Sequence, residues 1–185
     1  MTISLLNVWR WVKWPLIILA VAYVLLVIWR MTVLYAEEET ELDVARIHQE
    51  RLTWADVNTL PPAPDTAQND KTLAGVDANN NGIRDDVEIE IYNKYKGDQK
   101  TIVAMLQYAK ALQKEFTEVY NSPTLVAVIQ EEDRGYSCIG EIKLGDFVDE
   151  LVFNTEDRKR FQENLYEKYM TSYALPNENY CDIAI

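Results

Sequence analysis

The hydrophobic pattern of this chain changes character once. From Trp14 to Trp29 (WPLIILAVAYVLLVIW) no charged residue occurs, whereas beyond Glu37 apolar and charged positions alternate at short intervals. Extended through Arg30 to Tyr35, the first run covers about 33 Å at helical rise, enough to cross a hydrocarbon core about 30 Å thick. Arg30 is tolerated near one end because its long stem lets the guanidinium reach the headgroups. Trp9, Trp11, Trp14 and Trp29, four of the five tryptophans, flank the run where aromatic belts form. The pattern predicts a membrane-spanning helix over 14–35, preceded by a short N-terminal segment, 1–13.

Residues 36–57 contain neither Gly nor Pro, and Leu42, Ala45, Leu52 and Val57 fall at loosely helical spacing. This predicts a helical stalk, with His48 an exposed residue on it. Pro61, Pro62 and Pro64 then favour extended chain, so 58–71 reads as a Pro-rich linker and 72–185 as the folded domain. Within that domain the signals are helical. Asp86–Tyr95 runs to Gly97, a natural stop. Asp98 can cap a helix with Ile102, Met105, Leu106, Ala109, Leu112, Phe116 and Val119 on one face. Ser122-Pro123 opens another helix, to about Glu132. Asp146–Phe153 suits helix or strand. Asn154-Thr155 caps a helix in which Phe161, Leu165, Tyr169 and Tyr173 repeat at i, i+4, ending before Pro176. The aromatic stripes read as core. The expected fold class is all-α, with four or five helices in the domain and no internal repeat.

Charge gives the first helix a direction. Residues 1–36 hold three of the 18 basic residues and none of the 30 acidic ones, so the remainder carries a formal charge of −15. Arg10 and Lys13 precede the span and Glu37, Glu38 and Glu39 follow it, which places the N-terminus in the cytoplasm. A cleaved signal peptide is the competing reading, but Leu34-Tyr35-Ala36 is a poor cleavage site and Arg30 interrupts the apolar run. An uncleaved single-pass anchor is the better match. So acidic a domain repels phosphate backbones and carries no basic stripe, which argues against nucleic-acid binding.

Cys138 and Cys181 are the only cysteines. In an exported domain they form a disulfide by default, closing a loop of about 44 residues and stapling Asn179-Tyr180-Cys181-Asp182 to the segment Gly135–Gly140. With one distant histidine, a zinc site is not expected.

One stretch carries recognisable chemistry: Asp77-Ala78-Asn79-Asn80-Asn81-Gly82-Ile83-Arg84-Asp85-Asp86-Val87-Glu88. Counted as a twelve-residue loop of the EF-hand kind, it places Asp77, Asn79 and Asn81 at positions 1, 3 and 5, and Gly82 at the sharp turn. The Ile83 carbonyl falls at position 7, Asp85 at position 9 and the bidentate Glu88 at position 12. Hard oxygens in this order fit Ca²⁺, and three carboxylates imply a Kd of about 10⁻⁴ to 10⁻³ M, that of a structural staple. Two departures stand out. Position 8 is Arg84 rather than an apolar residue, and only Thr72–Val76 precedes the loop, so it reads as a lone half-hand without calmodulin-like switching. The competing reading is an Asx-rich turn that merely caps the helix starting near Asp85 or Asp86.

The segment Leu60–Asp65, the run Thr72–Glu88, Gln107–Leu112 and the C-terminal Cys181-Asp182 together resemble a group of uncharacterised exported proteins and lipoproteins of Gram-negative bacteria with a single EF-hand-like loop. The resemblance covers roughly residues 60–185 and departs from many members in having an anchor in place of a lipidated cysteine. It implies a bacterial inner-membrane protein with a periplasmic domain and bound calcium, and implies no reaction. With no nucleophile elbow, Gly-rich phosphate loop or His-rich metal set, an enzyme is not expected. The expected role is an interaction or envelope-structure module with a protein partner. The alternatives are an envelope enzyme with a carboxylate-based site and an accessory subunit of a membrane complex.

Overall fold

The computed structural model describes residues 5–174 and 180–184. It divides into two compact units, Met1–Leu42 and Asp43–Ile185, treated separately below. Helix α1 spans Leu5–Gln49. Within Lys13–Gln49 lies a window of mean hydropathy 2.4, with none of it buried, so this helix is long and apolar enough to cross a membrane. Thr32 donates its hydroxyl to the Trp29 carbonyl at 2.8 Å, which satisfies that hydroxyl within the helix itself.

The second unit is all-α; no strand occurs among the described residues. After the end of α1 come α2 (Trp54–Asn58) and α3 (Thr66–Asn69), two short helices. Five longer ones follow: α4 (Asp85–Lys94), α5 (Gln99–Thr117), α6 (Ser122–Ile139), α7 (Ile142–Val152) and α8 (Glu156–Tyr169). Their starts follow local chemistry. Asp98 accepts from the Thr101 amide, Asn121 and Thr124 form a reciprocal capping box with Pro123 in the first turn, and Thr155 accepts from the Arg158 amide. Gly140, at φ 68°, ends α6 in the left-handed conformation that favours glycine.

Helix α5 is the axis of the core. Its Ile102, Val103, Met105, Leu106, Ala109 and Leu112 are buried with Ile83, Val87 and Ile91 on one side and Val148, Val152 and Phe153 on another. Leu125, Ile129 and Leu165 join α6 to α8, with Phe161, Tyr166 and Tyr169 packed partly against them.

Two expectations change and one ambiguity is resolved. The segment read as stalk and linker belongs to the folded unit from Asp43 onward: Ile47, Leu52, Val57, Pro61 and Asn69 are buried. Sparse apolar positions among charges had looked like solvated helix, but Leu52 and Val57 join the main core and Ile47 packs against Ala127 and Val128. The ambiguous Asp146–Phe153 is helical, because Phe147, Val148, Leu151 and Val152 meet α4 and α5 from one helix face. Helix α6 runs seven residues past Glu132 to Ile139, so Cys138 sits on a helix.

The disulfide joins Cys138 to Cys181 with Cα atoms 5.0 Å apart. Beside it, the Tyr180 carbonyl accepts from Gln107 and Arg134, and the Asp182 amide donates to Gln107 Oε1 at 2.8 Å. Asp182 also accepts from the Leu52 amide and pairs with Arg134. Asn179 and Pro176, named in the sequence reading, lie outside the described residues.

Candidate metal centre

The loop from Asp77 to Glu88 is closed by backbone and side chain together. The Asp85 amide donates to the Val76 carbonyl and the Ala78 amide donates to Asp85 Oδ1, both at 2.9 Å, so the two ends of the loop meet. Inside the turn Asp77 accepts from the Asn81 and Gly82 amides at 3.2 and 2.9 Å. Asn80 and Gly82 both have positive φ, 55° and 85°, which is why position 6 requires glycine and position 4 tolerates asparagine.

Of the predicted ligands, Asp77, Asn79, Asn81 and Glu88 come together. Asn81 Nδ2 lies 2.7 Å from Glu88 Oε1 and Asn79 Nδ2 lies 3.2 Å from Glu88 Oε2. Asp85 stands beside them, 1% exposed, and its Oδ2 has no hydrogen-bond partner. Ile83 turns its side chain into the core, and its amide donates to Asn81 Oδ1. The two asparagines therefore face Glu88 with nitrogen. For calcium their amides must turn over to present oxygen, with Glu88, Asp85 and Asp77 supplying the charge.

Electrostatics show what the loop lacks. Burial pushes the Glu88 carboxyl up to about 7, and the negative charges of Asp77 and Asp85 add to this against the opposing amides of Asn81 and Asn79. Asp85 is raised first by burial and then by Asp77 and Asp86. Fully buried acids beside other acids are costly unless a cation joins them. A calcium ion held by Asp77, Asn79, Asn81, the Ile83 carbonyl, Asp85 and Glu88 would supply that cation and occupy the orphaned Asp85 oxygen. The donor set thus fits a hard divalent cation. Among the described residues no three His, Cys, Asp or Glu side chains are grouped as a metal site, so the carboxylates of Asp77, Asp85 and Glu88 do not converge as one cluster in this arrangement.

Of the competing reading, the Asx-rich turn is present, with Asp77 and Asn81 accepting from the amides of Gly82 and Ile83, but it does not cap α4, which has Arg84 at its N-cap and no side-chain cap.

Arg84, the departure at position 8, is fully buried. It donates to the carbonyls of Val152 at 3.0 Å and Leu151 at 2.6 Å, and pairs with Asp86. An arginine thus replaces the apolar plug, tying the loop to the last turn of α7, where unpaired carbonyls carry the negative end of the helix dipole. Arg158 is 1% exposed and gathers the carbonyls of Asn69, Leu73 and Thr72 with the side chains of Asp70 and Asn154. Together they hold the chain entering the loop. Sequence reasoning flagged Arg84 as an anomaly but had no signal for Arg158, since its partners are backbone carbonyls about 85 residues away.

No protein-family model matches the chain, and no curated protein or solved structure matches it either.

One further sequence expectation met a different environment. His48, read as exposed stalk, places Nδ1 2.8 Å from Glu131. The adjacent acids Glu131 and Glu132 are both buried, with the two carboxyls on different sides of α6 as adjacent helical residues must be. Glu131 meets His48, Arg51 and Arg134, and Glu132 meets Tyr166.

Proposed function

We propose that this chain is a single-pass membrane protein whose acidic helical domain lies outside the cytoplasm, is stabilised by calcium, and serves as an interaction or envelope-structure module with no reaction of its own. The observation that carries the reading is the loop core: a buried Asp85 with an orphaned oxygen beside a buried Glu88, at the spacing of calcium ligands. The location is supported by the apolar helix, by the basic residues before it and acidic ones after it, and by a disulfide, which persists in oxidising compartments. A bacterial inner membrane and a periplasmic domain accommodate these together. The partner is a protein, because the −15 charge beyond the span turns away nucleic acid.

The test is thermal unfolding of the full chain in detergent, oxidised, in EDTA and then in millimolar calcium, with Glu88→Gln alongside. Calcium is expected to raise Tm in the native chain by several degrees and to leave Glu88→Gln unmoved. Equal responses, or none, would sink the calcium assignment.

A further inference from the structure

Glu115 on α5 and Glu132 on α6 meet against α8, at 0% and 7% exposure. Gln162 donates to Glu115 Oε1 at 3.0 Å, and the Tyr166 hydroxyl lies 3.3 Å from both Glu115 Oε1 and Glu132 Oε2. One hydroxyl has one proton and serves one carboxylate at a time. The other two oxygens, Glu115 Oε2 and Glu132 Oε1, are buried and receive no donor, while both carboxyls gather on the one Tyr166 hydroxyl. Written as two carboxylates, the pair is two anions around one hydroxyl inside the protein, which cannot both stay ionised. One proton between them satisfies both orphaned oxygens at once.

The charged groups facing the pair are Asp133 from α6 and Asp149 from α7, and both favour keeping the proton; the neighbouring phenols are Tyr108 from α5, Tyr166 from α8 and Tyr173 beyond it. The hydrogen bonds from Tyr166 and Gln162 favour the ionised form, but burial outweighs them. The neighbouring cations Arg51 and Arg134 reach Glu131, which points to the other side of α6.

We propose that Glu115 and Glu132 share one proton across the α5–α6 seam, that Tyr166 and Gln162 of α8 close over it, and that this clamp loosens as pH rises. The direction follows from linkage. An unfolded chain gives up both protons above the ordinary glutamate range of about 4.3, while the folded pair retains one. The folded state therefore binds more protons, and stability falls with increasing pH until the folded pair too is deprotonated.

The test uses the full chain in detergent at constant calcium. Infrared spectra at about pH 7 are expected to carry the carbonyl stretch of a buried, protonated carboxylic acid, lost in Glu115→Gln and in Glu132→Gln. Tyr166→Phe, which keeps the pair and removes its hydroxyl partner, is expected to move the band in frequency. In melts from about pH 5 to about pH 9, the native Tm is expected to fall, whereas the glutamine variants, whose amide supplies the missing donor, give a flatter profile and a higher alkaline Tm. Absence of the acid band, its survival unmoved in Tyr166→Phe, or parallel profiles in native and variant proteins overturns the proposal.

Discussion

Arg84 shows how one residue can convert a recognisable loop into a different device. Its buried guanidinium is satisfied by two carbonyls of α7 and by the partly exposed carboxylate of Asp86. Arg84→Leu strands those acceptors, and urea unfolding is expected to report a loss of about 3 kcal/mol, with a weaker calcium response because the loop is no longer pinned. Gly75 is bound to the same contact. At φ 74° a Cβ there would lie 2.2 Å from Arg84 Cδ, whereas Gly97, at φ 96°, has nothing within 4 Å. Gly97→Ala is expected to cost only the conformational penalty of about 1 kcal/mol, and Gly75→Ala at least about 2 kcal/mol, because the arginine must move as well. Equal losses at the two positions in the same assay would remove this packing argument.

At the scale of elements, α6 is a hinge of chemistry between two sides. One side directs Glu131 and Arg134 to the C-terminal tail and the end of α1, and the other sends Glu132 toward α5 and α8. The disulfide and Asp182 hold the same tail, so their effects are coupled rather than additive. Opening the disulfide by Cys138→Ser with Cys181→Ser is expected to cost at most about 4 kcal/mol in the chain-entropy account. Asp182→Asn is expected to cost about 2 kcal/mol in the oxidised chain, since it leaves Arg134 short of a buried carboxylate, and clearly less in the serine pair, where the tail is tethered less firmly. A double-mutant cycle by urea unfolding measures this directly, and additivity would show that the tail is held by the two independently.

For the whole second unit, adjacent glutamates set opposing limbs of the stability profile. Burial pushes Glu131 up, but the hydrogen bond from His48 and the charges of Arg134 and Arg51 outweigh it and hold the carboxyl below the ordinary range. Its folded pKa is thus depressed, so its contribution is present above the unfolded value of about 4.3 and disappears as pH falls through the folded one. Glu131→Gln is expected to flatten the acid limb in pH-dependent melts while the fall toward alkaline pH remains. Loss of both limbs would mean that the two carboxyls are not separable.

Sequence alone determined what depends on local chemistry and one-dimensional pattern. The apolar run between tryptophans, the caps at Asp98 and Thr155, the paired cysteines and the order of oxygen-bearing side chains from Asp77 to Glu88 are each legible because their partners lie within a few positions or their composition admits few alternatives. Asn79, Asn81 and Glu88 converge where the loop spacing put them. Tertiary structure decided everything in which a polar group is satisfied by something distant. It drew Ile47, Leu52 and Val57 into the domain, gave His48 a carboxylate, buried Glu131 and Glu132 on different sides of α6, and placed Arg84 and Arg158 among backbone carbonyls. A carbonyl belongs to every residue and leaves no mark in the sequence, and a charged side chain reads as solvated until the fold brings its partner.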